Sequence, residues 1–245
     1  MKKFLNPACL PFAALIGGAV TLLLRLWLLL LGADERGLLA IGSFPDRMSW
    51  VMVAAMMLLL GLGVWKLPRS TKHSRFPVSS NAAVGLAVAA GGILISSVTE
   101  LRTAFDTIGT LSAVLGLIAG ISLGFLAFFR MKGLRPNIVF HGIVCVYLMF
   151  HLVSCYRLWS SYPQLQDYGF ELLAIVFVML ACYQRTAFDV GRGNPQSYTF
   201  FSLAALFFCI AALPGCDNLP FFIGCGIWMA ATPCRWLTIR KQAEE

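Results

Sequence analysis

About eight apolar segments, each close to the length that crosses a lipid bilayer, make up most of this chain of 245 residues. Inside lipid a backbone amide must find its hydrogen-bond partner within its own segment, so each segment is predicted to be an α-helix. The predicted spans are residues 11–31, 48–65, 82–98, 109–129, 138–155, 168–183, 198–213 and 219–236. The pattern predicts an all-α integral membrane protein with about eight transmembrane helices.

The composition argues against a soluble fold. Hydrophobic residues make up 59% of the sequence and charged residues 12%, whereas an ordinary soluble domain has about 25% charged residues. A soluble fold of this size needs a charged exterior, and this chain lacks one, so a lipid bilayer is its expected surrounding. We expect a single polytopic membrane domain over residues 1–245, with no soluble domain.

The charges of the loops predict the orientation of the chain. Fourteen Lys and Arg residues fall in the loops and termini on one side of the predicted membrane and four on the other, while eight acids lie on the Lys- and Arg-poor side and three on the rich side. The positive-inside rule then places both termini in the cytoplasm, and a bacterial cell membrane is the expected location. Because topology explains the net charge of +8, that charge does not indicate nucleic acid as a partner.

A weak internal similarity suggests a duplication. The sequence Arg-Leu-Trp occurs at residues 25–27 and again at 157–159, near the outer ends of the first and fifth predicted spans. This favours a four-plus-four tandem repeat with halves 1–133 and 134–245, and chance similarity between leucine-rich helices is the alternative. The sequence Arg-Thr-Ala-Phe-Asp at residues 102–106 and 185–189 is a longer identity, which we interpret as coincidence, although it would fit an inverted arrangement.

Small residues predict where two helices pack closely. On the fourth span they recur at every fourth residue and form a smooth stripe, which consists of Ser112, Gly116, Gly120 and Gly124. The third span carries a comparable stripe, made of Gly85, Ala89, Gly92 and Ser96. We expect the two spans to form a tight hairpin, or the fourth-span stripe to meet another subunit.

Charged residues at or near membrane depth are the first candidates for function. Arg25 lies inside the first span and Arg157 near the outer end of the fifth, and Glu100 and Glu171 lie near the same face. Two guanidinium groups and two carboxylates in one outer vestibule would bind or gate an anionic or zwitterionic solute. Structural ion pairs between helix ends are the alternative.

The histidines and cysteines of the fifth span do not predict a metal site. His141 and Cys145 share one helix face, as do His151 and Cys155, but the two pairs lie ten residues apart and would not converge on one ion. We interpret His151 as a hydrogen-bonded core residue or as part of a proton path. A disulfide between Cys155 and Cys216 is sterically conceivable, because both are predicted near the outer face.

Catalytic motifs offer little support for an enzyme. Residues 120–124 match the G-x-S-x-G pattern, but that motif needs a strand-turn-helix context, and here it lies within an apolar helix. No metalloprotease motif or phosphate-binding loop accompanies it. We therefore predict no cofactor and no metal, and we regard a membrane-embedded enzyme as a third hypothesis.

The sequence favours a permease component or transporter for a small solute or ion, with Arg25, Arg157, Glu100 and Glu171 forming or gating the site. An energising or output protein, or a second membrane subunit, would then belong to another chain. The alternative is a non-transporting interaction protein, such as an assembly factor or sensor subunit, that uses the small-residue stripe of the fourth span against a partner.

Overall fold

The computed structural model describes residues 9–31, 43–65, 80–103, 106–134, 137–160, 168–190 and 193–244. These residues form helices with a few turn residues at their ends, and no strand occurs among them. The helices are α1 (Leu10–Leu31), α2 (Phe44–Trp65), α3 (Ser80–Thr103), α4 (Thr107–Met131), α5 (Ile138–Trp159), α6 (Gly169–Asp189), α7 (Pro195–Ala211) and α8 (Leu219–Glu244). The prediction of an all-α chain is confirmed for this part of the sequence.

Six of these helices, α1 to α6, are long and apolar enough to cross a membrane, which is compatible with a multi-pass membrane protein. The remaining apolar helices are shorter, namely α7 and residues Leu219–Thr232 of α8. At 1.5 Å per residue the 17 residues of α7 extend about 25 Å, less than the ~30 Å of a typical hydrocarbon core. The number of eight spans therefore stays a prediction.

Local sequence signals explain several helix ends. Asn137 caps α5 by accepting a hydrogen bond from the Val139 amide, and Asn194 caps α7 by accepting one from the Gln196 amide. Pro195 occupies the first turn of α7, where its missing N–H costs nothing. Gly215 has a φ of 75° in the turn between α7 and α8, a conformation that glycine adopts without strain.

Helix α7 is the centre of the bundle. It packs against α1, α2, α6 and α8, and most of its side chains are buried. The helices α3, α4, α5, α6, α7 and α8 each contact the next, and α8 closes the ring against α3. Helices α1 and α2 pack on the outside of α7. The ring places the ends of α3 to α8 around a common axis.

The small-residue stripe of α4 lies against other helices of the same chain. A methyl group placed on Gly116 would collide with the Ser97 side chain and would lie 2.8 Å from Cε2 of Tyr147. On Gly120 it would lie 2.6 Å from Cγ of Leu94. Ser112 is fully buried, whereas a methyl group on Gly124 would meet no atom within 4 Å. Gly124 thus departs from the expected contact.

The stripe of α3 faces a different helix from the one expected. A methyl group on Gly85 would lie 2.7 Å from the Ala231 Cβ, and one on Gly92 would collide with the Pro220 carbonyl oxygen and lie 3.2 Å from the Gly224 Cα. Helices α3 and α4 do pack together, but the glycines of α3 make room for α8. The predicted hairpin of α3 and α4 is therefore present, and the stripe of α4 lies against α3, whereas the stripe of α3 lies against α8.

The packing of the described residues does not show the symmetry that a four-plus-four repeat would give. Helix α6 packs against α7, whereas α2, its counterpart in the first half, packs against α1 and α7 rather than α3. The two Arg-Leu-Trp sequences also differ in setting, since Arg25 is buried in α1 and Arg157 is half exposed at the end of α5. The duplication stays a prediction.

Candidate functional site

A cavity of about 800 Å³ opens at one end of the ring of helices. Its walls come from the C-terminal ends of α3 and α5, from the N-terminal ends of α4, α6 and α8, and from the turn before α8. Successive helices run in opposite directions, so these ends all lie on the same side of the bundle. The charge pattern of the loops predicts that this is the outer side.

Carboxylates dominate the lining of the cavity. Glu100 of α3, Asp106 at the start of α4, Glu171 of α6 and Asp217 of the turn before α8 all contribute to its wall. Against these four acids, Arg157 is the one guanidinium among the lining residues that the structure describes. The site therefore has an excess of negative charge.

Arg157 and Asp106 form an ion pair at the cavity rim. The Arg157 Nη1 donates to Oδ2 of Asp106 over 3.2 Å, and the two side chains are 50% and 59% exposed. An ion pair with this exposure is well solvated and contributes at most about 1 kcal/mol to stability. It offsets one lining carboxylate and leaves the other three.

Glu100 is held in place on the cavity wall by its neighbours. Its Oε1 accepts a hydrogen bond from Asn218 Nδ2 over 2.8 Å and one from Ser96 Oγ over 3.2 Å. The same oxygen lies 3.6 Å from Nδ1 of His151. These contacts join α3, α5 and the turn before α8 at one carboxylate.

His151 forms the floor of the cavity. Its side chain is 2% exposed, its ring stacks on Tyr147 with 5.4 Å between centroids, and Phe221 lies 5.0 Å away on its other side. Its Nε2 lies 3.7 Å from the Cys155 Sγ. His151 Nδ1 has no hydrogen-bond partner among the described residues and faces the Glu100 carboxylate.

Glu171 lines the cavity, and Arg25 lies near it behind the cavity wall. Glu171 is 3% exposed and belongs to the first turn of α6, where the helix dipole favours negative charge. The Arg25 guanidinium interacts electrostatically with this carboxylate, lies 4.8 Å from the centre of the Phe170 ring and donates to the Ala211 carbonyl over 2.8 Å. Arg25 is not among the described residues that line the cavity.

Aromatic side chains complete the wall. Trp159 lines the cavity and stacks on Tyr168 with 4.6 Å between ring centroids, which fixes the plane of its indole. Phe222 of α8 lies in the lining as well. Aromatic faces attract cations through the quadrupole of the ring, so they add to the effect of the carboxylates.

The structure brings three of the four predicted site residues into one cavity: Glu100, Arg157 and Glu171. Arg25 lies behind them. The sequence analysis had counted Asp106 and Asp217 only as outer-loop acids and had not assigned His151 to the same site. The signal that would have linked them is their common side, since all of them are predicted near the outer face.

The other candidates from the sequence have simple structural settings. Ser122 Oγ donates to the Ile118 carbonyl of its own helix, as an ordinary helical serine does. Cys155 and Cys216 are free thiols, and no group of three or more His, Cys, Asp or Glu side chains in the described part could hold a metal ion. Burial raises the pKa of the Cys216 thiol, in the turn outside the helices, to about 11.

Comparison with protein-family models, curated proteins and solved structures finds no match for this chain.

Proposed function

We propose that this chain is a permease component or transporter in a cell membrane, and that its solute is a small cation bound in the outer cavity. The observation that carries this proposal is the cavity itself, which has four lining carboxylates, one lining guanidinium and a buried histidine at its floor. Both termini are then cytoplasmic, and the mouth of the cavity faces outward.

The charge of the cavity favours a cationic solute over an anionic or zwitterionic one. The sequence alone suggested an anionic or zwitterionic solute, because it paired two guanidinium groups with two carboxylates. In the structure Arg25 contacts the end of α7, and Arg157 is paired with Asp106. The Glu171 carboxylate interacts with Arg25, whereas those of Glu100 and Asp217 remain to attract positive charge, so a cation is favoured.

The size and the aromatic residues of the cavity favour an organic cation. A volume of about 800 Å³ is far larger than a bare metal ion needs. A quaternary ammonium group makes favourable contacts with both carboxylates and aromatic faces, and Trp159 and Phe222 supply such faces. We therefore propose a small quaternary or protonated amine as the class of solute.

Counterflow in liposomes tests this proposal with choline as the probe, because choline carries a permanent positive charge. Purified protein is reconstituted into liposomes loaded with unlabelled choline, and entry of radiolabelled choline is followed. We expect transient accumulation, inhibition by excess choline, and no inhibition by dimethylbutanol, the neutral isostere of choline. Counterflow needs no energy input, so the test does not depend on an energising subunit.

Two variants link counterflow to the cavity. Glu171→Gln is expected to reduce counterflow about tenfold or more, since it removes a buried charge without changing the shape of the side chain. Asp46→Asn is the matched control, because Asp46 lies in the first turn of α2 at the same end of the bundle and is not among the lining residues described. Absence of choline counterflow in the wild-type protein, or equal rates in both variants, would refute the proposal.

The alternative function, a non-transporting interaction protein, loses its expected contact surface. Gly116 packs against Ser97 and Tyr147 of the same chain, and Gly120 packs against Leu94. A partner would have to bind another face of the bundle. Under this alternative Gly120→Leu would release a partner, whereas the contacts of Gly120 predict that the variant disturbs the packing of α3 on α4.

A further inference from the structure

The pair formed by His151 and Glu100 gives the cavity a second ligand besides the cation. We propose that this pair is a proton-binding site, and that a proton and the cationic solute compete for it. The inference rests on the proposed function and deepens it, because competition of this kind turns a cation carrier into a proton-coupled exchanger.

The first support is the position of His151 between the cavity and the interior of the bundle. One nitrogen, Nδ1, faces the Glu100 carboxylate on the cavity wall at 3.6 Å, while the rest of the ring is enclosed by Tyr147 and Phe221. Both His151 and Glu100 line the cavity, so a proton can reach the pair from the same space that the cation occupies.

The second support is the set of hydrogen bonds that Glu100 accepts. Asn218 and Ser96 both donate to Oε1, so the carboxylate is anchored next to the imidazole, and an approach of about 0.5 Å brings the two groups within hydrogen-bond distance. A proton bound as Glu100 carboxylic acid moves from Oε1 to the lone pair of His151 Nδ1, in the imidazole tautomer that carries its own proton on Nε2. The products are a carboxylate and an imidazolium, and no other atom gains or loses a proton.

The net charge of the His151–Glu100 pair makes binding of the proton and binding of the cation mutually exclusive. With neutral His151 and ionised Glu100, the pair carries one negative charge and attracts a cation. With one proton bound, on either residue, the pair has no net charge and its attraction for the cation is lost. Since the ion pair of Arg157 and Asp106 stays at the rim in both states, the change of charge falls on the floor of the cavity.

The titratable and charged groups around His151 come from several helices. Helix α3 contributes Glu100, α5 itself contributes Tyr147 and Cys155, and the cavity brings Glu171 from α6 and Asp217 from the turn before α8. Helix α8 packs on the ring with Phe221, which does not titrate, and α4 contributes Asp106 at the rim, in the ion pair with Arg157. Glu100 is the group nearest to the open nitrogen, so the proton is shared by these two residues.

Polar groups continue below the histidine. The side chains of Tyr147 and Ser97 are both buried there, and their hydroxyl groups interact with each other. They extend the polar line from the cavity floor toward the middle of the bundle.

The test measures protons and solute separately. Purified wild-type protein in detergent and weak buffer receives choline, and a pH indicator dye reports protons released while equilibrium dialysis reports choline bound. We expect release of about half a proton per choline bound at the pH where the pair is half protonated, rising toward about one proton at lower pH, where the choline affinity falls up to about tenfold per pH unit toward acid. Choline keeps its charge throughout, so the pH dependence belongs to the protein.

His151→Gln and Glu100→Gln separate the roles. His151→Gln is expected to bind choline with fewer protons released per choline and with an affinity that depends less on pH than in the wild type, whereas Glu100→Gln is expected to lose both binding and release. Binding of choline to the wild-type protein without proton release, or proton release by His151→Gln equal to that of the wild type, would overturn the inference and leave the cation site standing. Absence of choline binding to the wild type would refute the proposed function and the inference together.

Discussion

The Arg25 guanidinium donates a hydrogen bond to the backbone carbonyl of Ala211, the last residue of α7, over 2.8 Å. Helix C-terminal carbonyls lack partners within the helix and carry partial negative charge, so a buried cation there is stabilising. Arg25 is 8% exposed and also faces the Phe170 ring and the Glu171 carboxylate. The residue joins α1 to the end of the central helix beside the cavity.

Replacement of Arg25 is therefore expected to destabilise the fold. Arg25→Leu leaves the Ala211 carbonyl without its donor and Glu171 without a nearby cation, and we expect the free energy of unfolding to fall by about 2–4 kcal/mol. Unfolding by SDS in mixed micelles measures this. Arg157→Leu is the control, because Arg157 is half exposed and should cost less than about 1 kcal/mol. Equal losses in both variants would contradict the role given to Arg25.

The adjacent glycines Gly91 and Gly92 provide a matched test of the contact between α3 and α8. Gly92→Ala places a methyl group against the Pro220 carbonyl and the Gly224 Cα, which are backbone atoms and give way only if the helices separate, so a loss of about 1–3 kcal/mol is expected. Gly91→Ala meets no atom within 4 Å and should be neutral or stabilising by up to about 1 kcal/mol. The same SDS unfolding assay compares them, and similar values for the two variants would argue against close contact of α3 with α8.

Removal of the rim guanidinium distinguishes a cation site from an anion site. Arg157→Gln leaves Asp106 unpaired at the cavity mouth, so the local potential becomes more negative and choline should bind about threefold more tightly at low salt. Equilibrium dialysis at low and high ionic strength measures the change, which salt should reduce. Weaker choline binding in this variant would contradict a site that attracts cations through its negative potential.

The Cys216 thiol is expected to react slowly at neutral pH. Because burial raises its pKa from 9.0 to about 11, its thiolate fraction at pH 8 is about 100-fold below that of an ordinary thiol. A raised pKa also shifts the pH at which the alkylation rate levels off to a higher value. The rate of alkylation by iodoacetamide should therefore still increase between pH 9 and pH 10. Mass spectrometry of the labelled peptide follows this site alone. A rate that levels off below pH 9 would contradict the buried setting of the thiol.

The orientation of the chain is open to a direct test with two cysteines at opposite ends of the bundle. Cys9 is exposed just before α1, and Cys216 lies in the turn between α7 and α8 near the cavity. A membrane-impermeant maleimide added to intact cells at pH 8 for an extended time is expected to label Cys216 and to spare Cys9 until the cells are permeabilised. The reverse pattern would place the cavity on the cytoplasmic side.

Much of the fold was predictable from hydropathy alone, because a bilayer imposes helices of nearly fixed length. The same logic placed Glu100, Arg157 and Glu171 near one face, since the direction of the chain alternates from helix to helix. Rotation of each helix about its own axis was not predictable. Arg25 could point outward to solvent or inward to Ala211, and only the packing of α1 on α7 decides between these directions.

Which helices pack against each other was equally unpredictable from the sequence. Small residues on α3 at a spacing suited to close contact predict a tight interface with another helix. The spacing does not predict whether that helix is α4 or α8. His151 had two interpretations from the sequence, a core residue or part of a proton path. Its setting beside Glu100 became visible only when the ends of α3, α5 and α8 were brought together.

The contact between Gly92 and Gly224 has a consequence for synthesis of the chain. Helix α8 is synthesised after α3 to α7, and the ring has no closing wall until α8 reaches α3. A nascent chain that has not yet reached α8 therefore lacks the wall that encloses the cavity and its carboxylates.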